Sequence, residues 1–292
     1  MATERRLVRS ADGTRIFCEF HGGNLPGVPV VCLPGLTRNC RDFEPVVEML
    51  VGKRPVLTVD FRGRGRSDHA TDPLTYRVDI EMSDTLSVLA DFGLSKIALL
   101  GTSRGGIVGM LMAAQAPEVL AGLFLNDIGP RIEPEGLLRI MGYVGVDVSF
   151  ADWQTAAERF AATAPGFADV SPAQWLTAVQ RAFTLRGDGR IVPHCDLRLA
   201  ATLPNPDDVK AGKTPELWPL LPALAEKPVS CLRGAGSDLL SEATLQQLKH
   251  TLPHADVVTV PQRGHVPFLD EPESVSALER WLVRVDTNEK GR

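Results

Sequence analysis

IALLGTSRGG, residues 97–106, places Ser103 in a Gly-x-Ser-x-Gly pattern directly after a short apolar run. The run has the length and composition of a buried strand, and the apolar residues that follow the motif recur at helical spacing. A serine on such a sharp strand-to-helix turn has a strained backbone, and its neighbours Gly101 and Gly105 must lack side chains because strand and helix crowd together there. The stretch therefore predicts a nucleophile elbow with Ser103 exposed at the turn.

Five further apolar runs of similar length recur along the chain, at residues 28–33, 55–59, 120–126, 228–233 and 256–260. Continuously apolar strands are typical of a parallel sheet that is covered by helices on both faces. Helical patterns fill the gaps, at residues 40–50, 77–91, 104–116, 241–252 and 273–286. Upstream, Asp12-Gly13 suits a tight turn, so an antiparallel hairpin is expected to start the sheet. The predicted fold class is α/β, with a mostly parallel sheet.

The alternation of strands and helices breaks between residues 131 and 215, which predicts an inserted helical cap. Residues 1–130 and 216–292 are then the two parts of one core. Ser171-Pro172-Ala173-Gln174 has the pattern of a capping box and predicts a helix start inside the insertion. Trp153, Trp175 and Phe183 lie on aromatic stripes of the cap; they either pack the cap onto the core or line a substrate pocket.

The composition predicts a soluble globular protein. A net charge of -5 argues against the basic surface that nucleic acid or anionic lipid requires. The five cysteines are scattered without the paired spacing of a zinc or redox site, so no metal is expected and buried free thiols fit best. Residues 1–20 lack the apolar stretch of a signal peptide or membrane span. We expect a cytoplasmic monomer or homodimer without a membrane partner, with residues 286–292 as a frayed tail.

His265 is the preferred general base for Ser103. A hydroxyl needs a base to become a nucleophile, and Gly264-His265 directly follows the last predicted strand, at the end of the sheet where α/β sites lie. The other five histidines, at positions 21, 69, 194, 250 and 254, have less favourable contexts.

Two carboxylates could hold the imidazole in its working tautomer. Asp238 follows the strand at residues 228–233 and gives the chain order nucleophile, acid, base, so it is preferred. Asp127 follows the strand at residues 120–126 and stays open as the alternative acid.

The oxyanion hole requires two backbone donors, which map to the N–H groups of Leu36 and Arg104. Gly35 allows the backbone to turn so that the Leu36 amide faces the site. The Arg104 side chain either binds a substrate carboxylate or pairs with a nearby acid for structural reasons.

Together these motifs resemble the α/β-hydrolase superfamily over nearly the whole chain. The resemblance also includes Pro34-Gly35-Leu36, Asp60-Phe61-Arg62-Gly63-Arg64-Gly65-Arg66-Ser67-Asp68 and Ser237-Asp238. It implies an eight-stranded sheet, a cap over the active site, and acyl-enzyme chemistry on esters, lactones, thioesters or amides without a cofactor. Two alternatives stay open: a C–C bond hydrolase of ring-cleavage products, and a ligand-binding receptor on the same fold.

Overall fold

The computed structural model describes residues 3–290 and contains one eight-stranded sheet. Its strands are β1 (Thr3–Arg9), β2 (Arg15–His21), β3 (Val30–Leu33), β4 (Val56–Val59), β5 (Ile97–Thr102), β6 (Leu120–Asn126), β9 (Val229–Gly234) and β10 (Asp256–Val260). The order across the sheet is β1-β2-β4-β3-β5-β6-β9-β10. Within this sheet, β1–β2 and β2–β4 pair in antiparallel fashion and the other neighbouring strands are parallel. The predicted α/β class and the starting hairpin are confirmed.

Helices cover both faces of this sheet. They are α1 (Glu44–Leu50), α2 (Val78–Asp91), α3 (Arg104–Gln115), α8 (Glu242–Thr251) and α9 (Pro272–Lys290). Alternate strand residues enter two different apolar clusters: Val31 and Leu33 of β3 face one, whereas Val30 and Cys32 face the other. Both faces are thus buried, which explains why the strand sequences are continuously apolar.

Between β6 and β9 the chain leaves the sheet. This inserted segment (residues 131–215) contains α4 (Pro134–Met141), α5 (Trp153–Ala162), α6 (Pro172–Ala182), β7 (Phe183–Leu185), β8 (Ile191–Pro193) and α7 (Pro206–Lys210). Strands β7 and β8 form a separate two-stranded sheet, and Ile191 of β8 also bridges to Phe150. The predicted capping box is present, because Ser171 and Gln174 exchange hydrogen bonds at the start of α6. Helices α5 and α6 enclose an apolar cluster of their own.

One loop of the inserted segment lies against the loops that follow β9 and β10. A Cβ atom on Gly166 would lie 2.2 Å from the carbonyl oxygen of Gly236, and one on Gly264 would lie 2.1 Å from that of Pro165. Only glycine allows such close backbone approach. These contacts seat the inserted segment next to Gly264 and its neighbour His265.

The end of the chain differs from the expected frayed tail. Helix α9 continues to Lys290, and Arg54 Nη2 donates a hydrogen bond of 2.5 Å to the carboxylate of Asp286. Leu282 and Val285 on the same helix are buried, so this part of the helix packs against the sheet. Residues 1, 2, 291 and 292, which the N-terminal and C-terminal expectations include, lie outside the described residues.

The five cysteines are free thiols, four of them buried, as expected. No helix within residues 3–290 is both long and apolar enough to span a membrane.

Candidate active site

Ser103 occupies the strained turn between β5 and α3. Its φ is +48°, a conformation that residues with side chains rarely adopt. A Cβ atom on Gly101 would lie 2.4 Å from the backbone of Gly105, and one on Gly105 would lie 2.1 Å from the carbonyl oxygen of Leu33. The two glycines therefore let helix α3 start directly against the strands, which fixes the position of the serine at the carboxyl end of the sheet.

A continuous chain of hydrogen bonds links Ser103, His265 and Asp127. Nε2 of His265 lies 3.0 Å from Oγ of Ser103, and Nδ1 lies 2.7 Å from Oδ2 of Asp127. A carboxylate can only accept, so Nδ1 carries the proton and Nε2 is free to accept one from the serine. This is the geometry of a Ser-His-Asp triad. The structure brings together the predicted nucleophile and base.

Asp127 is held by groups from the neighbouring strand. The carboxylate is fully buried, and it accepts hydrogen bonds of 2.7 Å from the Gly234 N–H and from Oγ of Ser237. Both donors belong to the end of β9 and its following loop. The carboxylate therefore has a fixed orientation toward the imidazole.

The preferred assignment of the acid to Asp238 is corrected. Its carboxylate accepts two hydrogen bonds, of 2.5 and 2.8 Å, from Nε and Nη2 of Arg139 on α4. Burial acts to raise the pKa of Asp238, but the guanidinium outweighs it and the pKa lies below its ordinary value. Because Arg139 binds its carboxylate, Asp238 faces the inserted segment. The imidazole of His265 is hydrogen-bonded to Asp127 instead.

The loop that carries His265 is fixed from two sides. Nδ2 of the buried Asn126 donates to the carbonyl oxygen of Pro267 at 3.1 Å. The carboxylate of Glu271 accepts from the N–H groups of Phe268 and Leu269 at 2.8 and 3.0 Å. These bonds restrict the backbone that follows the imidazole, and sequence reasoning had assigned no role to either side chain.

The two predicted oxyanion donors lie beside the elbow. The Gly105 N–H donates to the carbonyl oxygen of Pro34 at 3.0 Å, so the loop of Leu36 is tied to the start of α3. A Cβ atom on Gly35 would lie 3.9 Å from Cβ of Ser103. Within residues 3–290, neither the Leu36 nor the Arg104 N–H donates to another protein group, so both amides are available to a ligand.

The Arg104 side chain is bound by groups of the core. Its Nε donates to Glu81 at 2.6 Å and its Nη2 to the carbonyl oxygen of Tyr76 at 2.9 Å. Glu81 is fully buried and also pairs with Arg64. The buried Glu81 carboxylate requires cationic partners, which supports the structural interpretation of the guanidinium; contact of the Arg104 side chain with a substrate stays a prediction.

The aromatic residues predicted for the pocket belong to the apolar cluster of the inserted segment. Trp175 is 9% exposed and contacts the rings of Phe160 and Phe167. Trp153 and Phe183 are half-buried in the same cluster. Little of the Trp175 surface is left for a ligand, whereas contact of Trp153 and Phe183 with a substrate stays a prediction.

Sequence reasoning also missed Arg139 on α4, the residue that binds Asp238. Among the described residues, no group of His, Cys, Asp and Glu side chains could hold a metal ion.

Residues 30–278 match the model of the alpha/beta hydrolase family, so the chain belongs to this family. It is 33% identical over 271 residues to the 3-hydroxybutyrate-oligomer hydrolase of Cupriavidus necator, with 90% of this chain and 92% of that protein covered. Identity to the putative carbamate hydrolase RutD of Caulobacter segnis is 28%, with 88% and 91% covered.

A solved structure is also similar along the whole chain. The crystal structure of an alpha/beta hydrolase from Novosphingobium aromaticivorans has a TM-score of 0.89 and 41% identity, and the match covers 97% of this chain and 99% of that one. The eight-stranded sheet and its helices are thus those of an alpha/beta hydrolase.

Proposed function

We propose that this protein is a serine hydrolase that cleaves small carboxylic esters through an acyl-enzyme. The hydrogen-bonded chain from Ser103 through His265 to Asp127 carries the proposal. Acyl transfer requires an activated nucleophile and donors for the oxyanion. The site offers Ser103 on a strained turn, the buried Asp127 and the two unused backbone amides of Leu36 and Arg104.

In this mechanism Ser103 Oγ attacks the ester carbonyl while Nε2 of His265 takes the hydroxyl proton. The Leu36 and Arg104 amides stabilise the oxyanion, and Asp127 stabilises the imidazolium. His265 then protonates the leaving alcohol, and in the second half of the cycle it activates a water that releases the acid. The inserted segment acts as a cap over this site, seated by its loop at Gly166.

Esters of short hydroxy acids are the first substrates to test, because the relative from Cupriavidus necator is named for the hydrolysis of 3-hydroxybutyrate oligomers. The dimer of 3-hydroxybutyrate contains a single ester bond, so its hydrolysis can be followed as release of the monomer. We expect turnover of this dimer together with p-nitrophenyl esters of short acyl length.

The test of the mechanism is labelling with a fluorophosphonate, which reacts only with an activated serine. We expect one adduct at Ser103, lost in Ser103→Ala and retained in Ser83→Ala, a matched change at an exposed serine on α2. An adduct without ester turnover would redirect the proposal to C–C bond substrates or to a binding role. Absence of any adduct on the folded protein would contradict it.

A further inference from the structure

Arg64 is a buried arginine whose guanidinium binds the loop of a predicted oxyanion donor. It lies in the loop after β4, whereas Leu36 lies in the loop after the neighbouring parallel strand β3. The two loops therefore meet at the carboxyl edge of the sheet, where α/β sites lie. Nε of Arg64 donates to the carbonyl oxygen of Leu36 at 2.7 Å. The side chain of Arg64 is fully buried, so this bond is shielded from water.

Leu36 is held through the peptide groups on both of its sides. Its N–H shares a planar peptide unit with the carbonyl group of Gly35, which accepts from the Arg38 N–H at 3.1 Å. Its own carbonyl belongs to the next peptide unit, and this is the group that Arg64 binds. Because both peptide units are restrained, the backbone of Leu36 has little freedom to rotate. The Leu36 N–H therefore keeps one direction.

The guanidinium of Arg64 is itself held by groups of the core. Its Nη1 donates to the carbonyl oxygen of Arg62 at 2.6 Å and forms an ion pair of 2.8 Å with Oε1 of Glu81, a fully buried carboxylate on α2. The other oxygen of this carboxylate, Oε2, accepts from Nε of Arg104 at 2.6 Å. Glu81 therefore connects two arginines: Arg64 binds the Leu36 carbonyl, and Arg104 carries the second predicted oxyanion donor on its own backbone.

Charge balance and fold stability do not account for Arg64. Arg104 alone supplies the cation that the buried Glu81 carboxylate requires. A buried ion pair contributes little net stability, because the loss of hydration of the two charges offsets their attraction. Moreover, Nη2 of Arg64 is buried and has no hydrogen-bond partner among the residues that the structure describes, which is a further cost. The contact with the Leu36 carbonyl is the feature that gives this arginine a use.

We propose that Arg64 is a positioning residue of the oxyanion hole and that Glu81 fixes it together with Arg104. This inference rests on the proposed esterase function and concerns its transition state, because an oxyanion gains most from donors that already point at it. Arg64 acts through Leu36 and does not touch the substrate. The three charged side chains have a formal net charge of +1, which also favours the negative charge that develops beside the two amides.

The experiment measures ester hydrolysis and the binding of a trifluoromethyl ketone with a short alkyl chain in Arg64→Met, which removes the Nε donor. Oγ of Ser103 adds to the ketone carbonyl, its proton passes to Nε2 of His265, and the carbonyl oxygen becomes an oxyanion, as in the transition state. Complete loss of one oxyanion donor costs about 10²–10³ in kcat. We expect kcat/KM for a p-nitrophenyl ester to fall at least about tenfold, mainly through kcat, and the inhibition constant of the ketone to rise by a similar factor.

Arg62→Met is the matched control. Arg62 is an equally buried arginine of the same loop, but its side chain binds Asp84 and Asp12. Its substitution should leave kcat/KM and the inhibition constant of the ketone within about threefold of the wild-type values. Melting temperatures of both variants measure the loss of stability that they share, and the assays are run where both are folded.

Charge-balanced double variants serve if the single ones fail to fold. Arg64→Met combined with Glu81→Gln keeps the net charge of the network and should show the same loss of activity. The corresponding control combines Arg62→Met with Asp84→Asn, and its activity should stay close to that of the wild-type protein.

Equal losses in the Arg64 and Arg62 variants, or a kcat/KM of Arg64→Met within about threefold of the wild-type value, would overturn the role of Arg64 and leave the esterase proposal standing. A fall in kcat/KM without a matching rise in the inhibition constant would also overturn it, since the lost interaction would then lie outside the oxyanion hole. A wild-type protein that neither hydrolyses p-nitrophenyl esters nor binds the ketone would overturn both proposals.

Discussion

Nδ1 of His265 lies 2.7 Å from Oδ2 of Asp127, the residue that directly follows β6. Asp238 follows the neighbouring strand β9, yet its carboxylate is bound by Arg139. The two carboxylates follow adjacent strands but bind different partners: Asp127 binds the imidazole, and Asp238 binds a guanidinium. This arrangement permits a direct test of which acid is needed for turnover.

Asp127→Asn is expected to lower kcat for a p-nitrophenyl ester about a thousandfold or more. The amide presents a donor as well as an acceptor, so it no longer enforces the tautomer that leaves Nε2 free, and it does not stabilise the imidazolium. Asp238→Asn is expected to retain kcat within about threefold. Steady-state kinetics of the two variants gives the answer, and a larger loss in Asp238→Asn than in Asp127→Asn would contradict the assignment.

Sequence reasoning was most successful where the signal is local. Ser103 was predictable because a strand, two glycines and a helix follow one another within ten residues, and His265 because it follows the last strand. The choice between Asp127 and Asp238 depends on Arg139, a residue about a hundred positions away in the inserted segment. No local sequence pattern indicates which of the two acids pairs with a distant arginine.

The same limit applies to side chains near the site. The role of Arg104 depends on Glu81, which is buried only because α2 and α3 pack together. Likewise, Nη2 of Arg38 reaches the carbonyl oxygen of Ala178 only after the inserted segment has folded over the sheet. The partner of a polar side chain is a property of the packed chain, so it could not be predicted from composition or spacing.

Gly105→Ala tests the close contact at the elbow. The added Cβ would lie 2.1 Å from the carbonyl oxygen of Leu33, a backbone atom that cannot move without disturbing β3. We expect a loss of about 3 kcal/mol or more in the free energy of unfolding, at the upper end of overpacking effects. Urea unfolding measures it. Gly187→Ala is the matched control, because a Cβ there meets nothing within 4 Å and its φ is not positive; an equal loss in both variants would contradict the explanation.

Asn126→Ala tests the positioning of the His265 loop. The variant leaves the Pro267 carbonyl without its 3.1 Å hydrogen bond, which costs about 1–3 kcal/mol and loosens the segment after the imidazole. We expect kcat to fall about tenfold with a smaller change in KM, because the base is less well aligned in the transition state.

A variant of similar stability separates this effect from general destabilisation. Asn205→Ala removes the side-chain cap of α7, a 2.8 Å bond to the Asp207 N–H, and costs about 1 kcal/mol. It should lower the melting temperature without lowering kcat. If both asparagine variants lose the same fraction of kcat, Asn126 has no specific role in positioning.

Asp196 provides a pH-dependent link between the inserted segment and the core. Its Oδ2 accepts from the Tyr76 hydroxyl at 2.5 Å and from Arg198 at 2.7 Å, and Nδ1 of His69 lies 3.6 Å away. Burial acts to raise the pKa of Asp196, but the bonds from Arg198 and Tyr76 outweigh it and lower the pKa to about 2. Because the folded-state pKa is below the unfolded one, the ionised carboxylate stabilises the fold above about pH 4, and this contribution is lost as the pH falls toward 2.

Asp196→Asn should therefore reduce the free energy of unfolding by about 1–2 kcal/mol at pH 7, a range that allows for the exposure of Arg198. The difference from the wild-type protein should shrink as the pH falls from 4 toward 2, because the carboxylate is then protonated in the unfolded state while it is still ionised in the folded one. Urea unfolding at pH 7, 5, 4 and 3 measures it, with Asp207→Asn as the control, because this carboxylate is 85% exposed. A difference that stays constant over this range would show that Asp196 contributes through packing rather than through its charge.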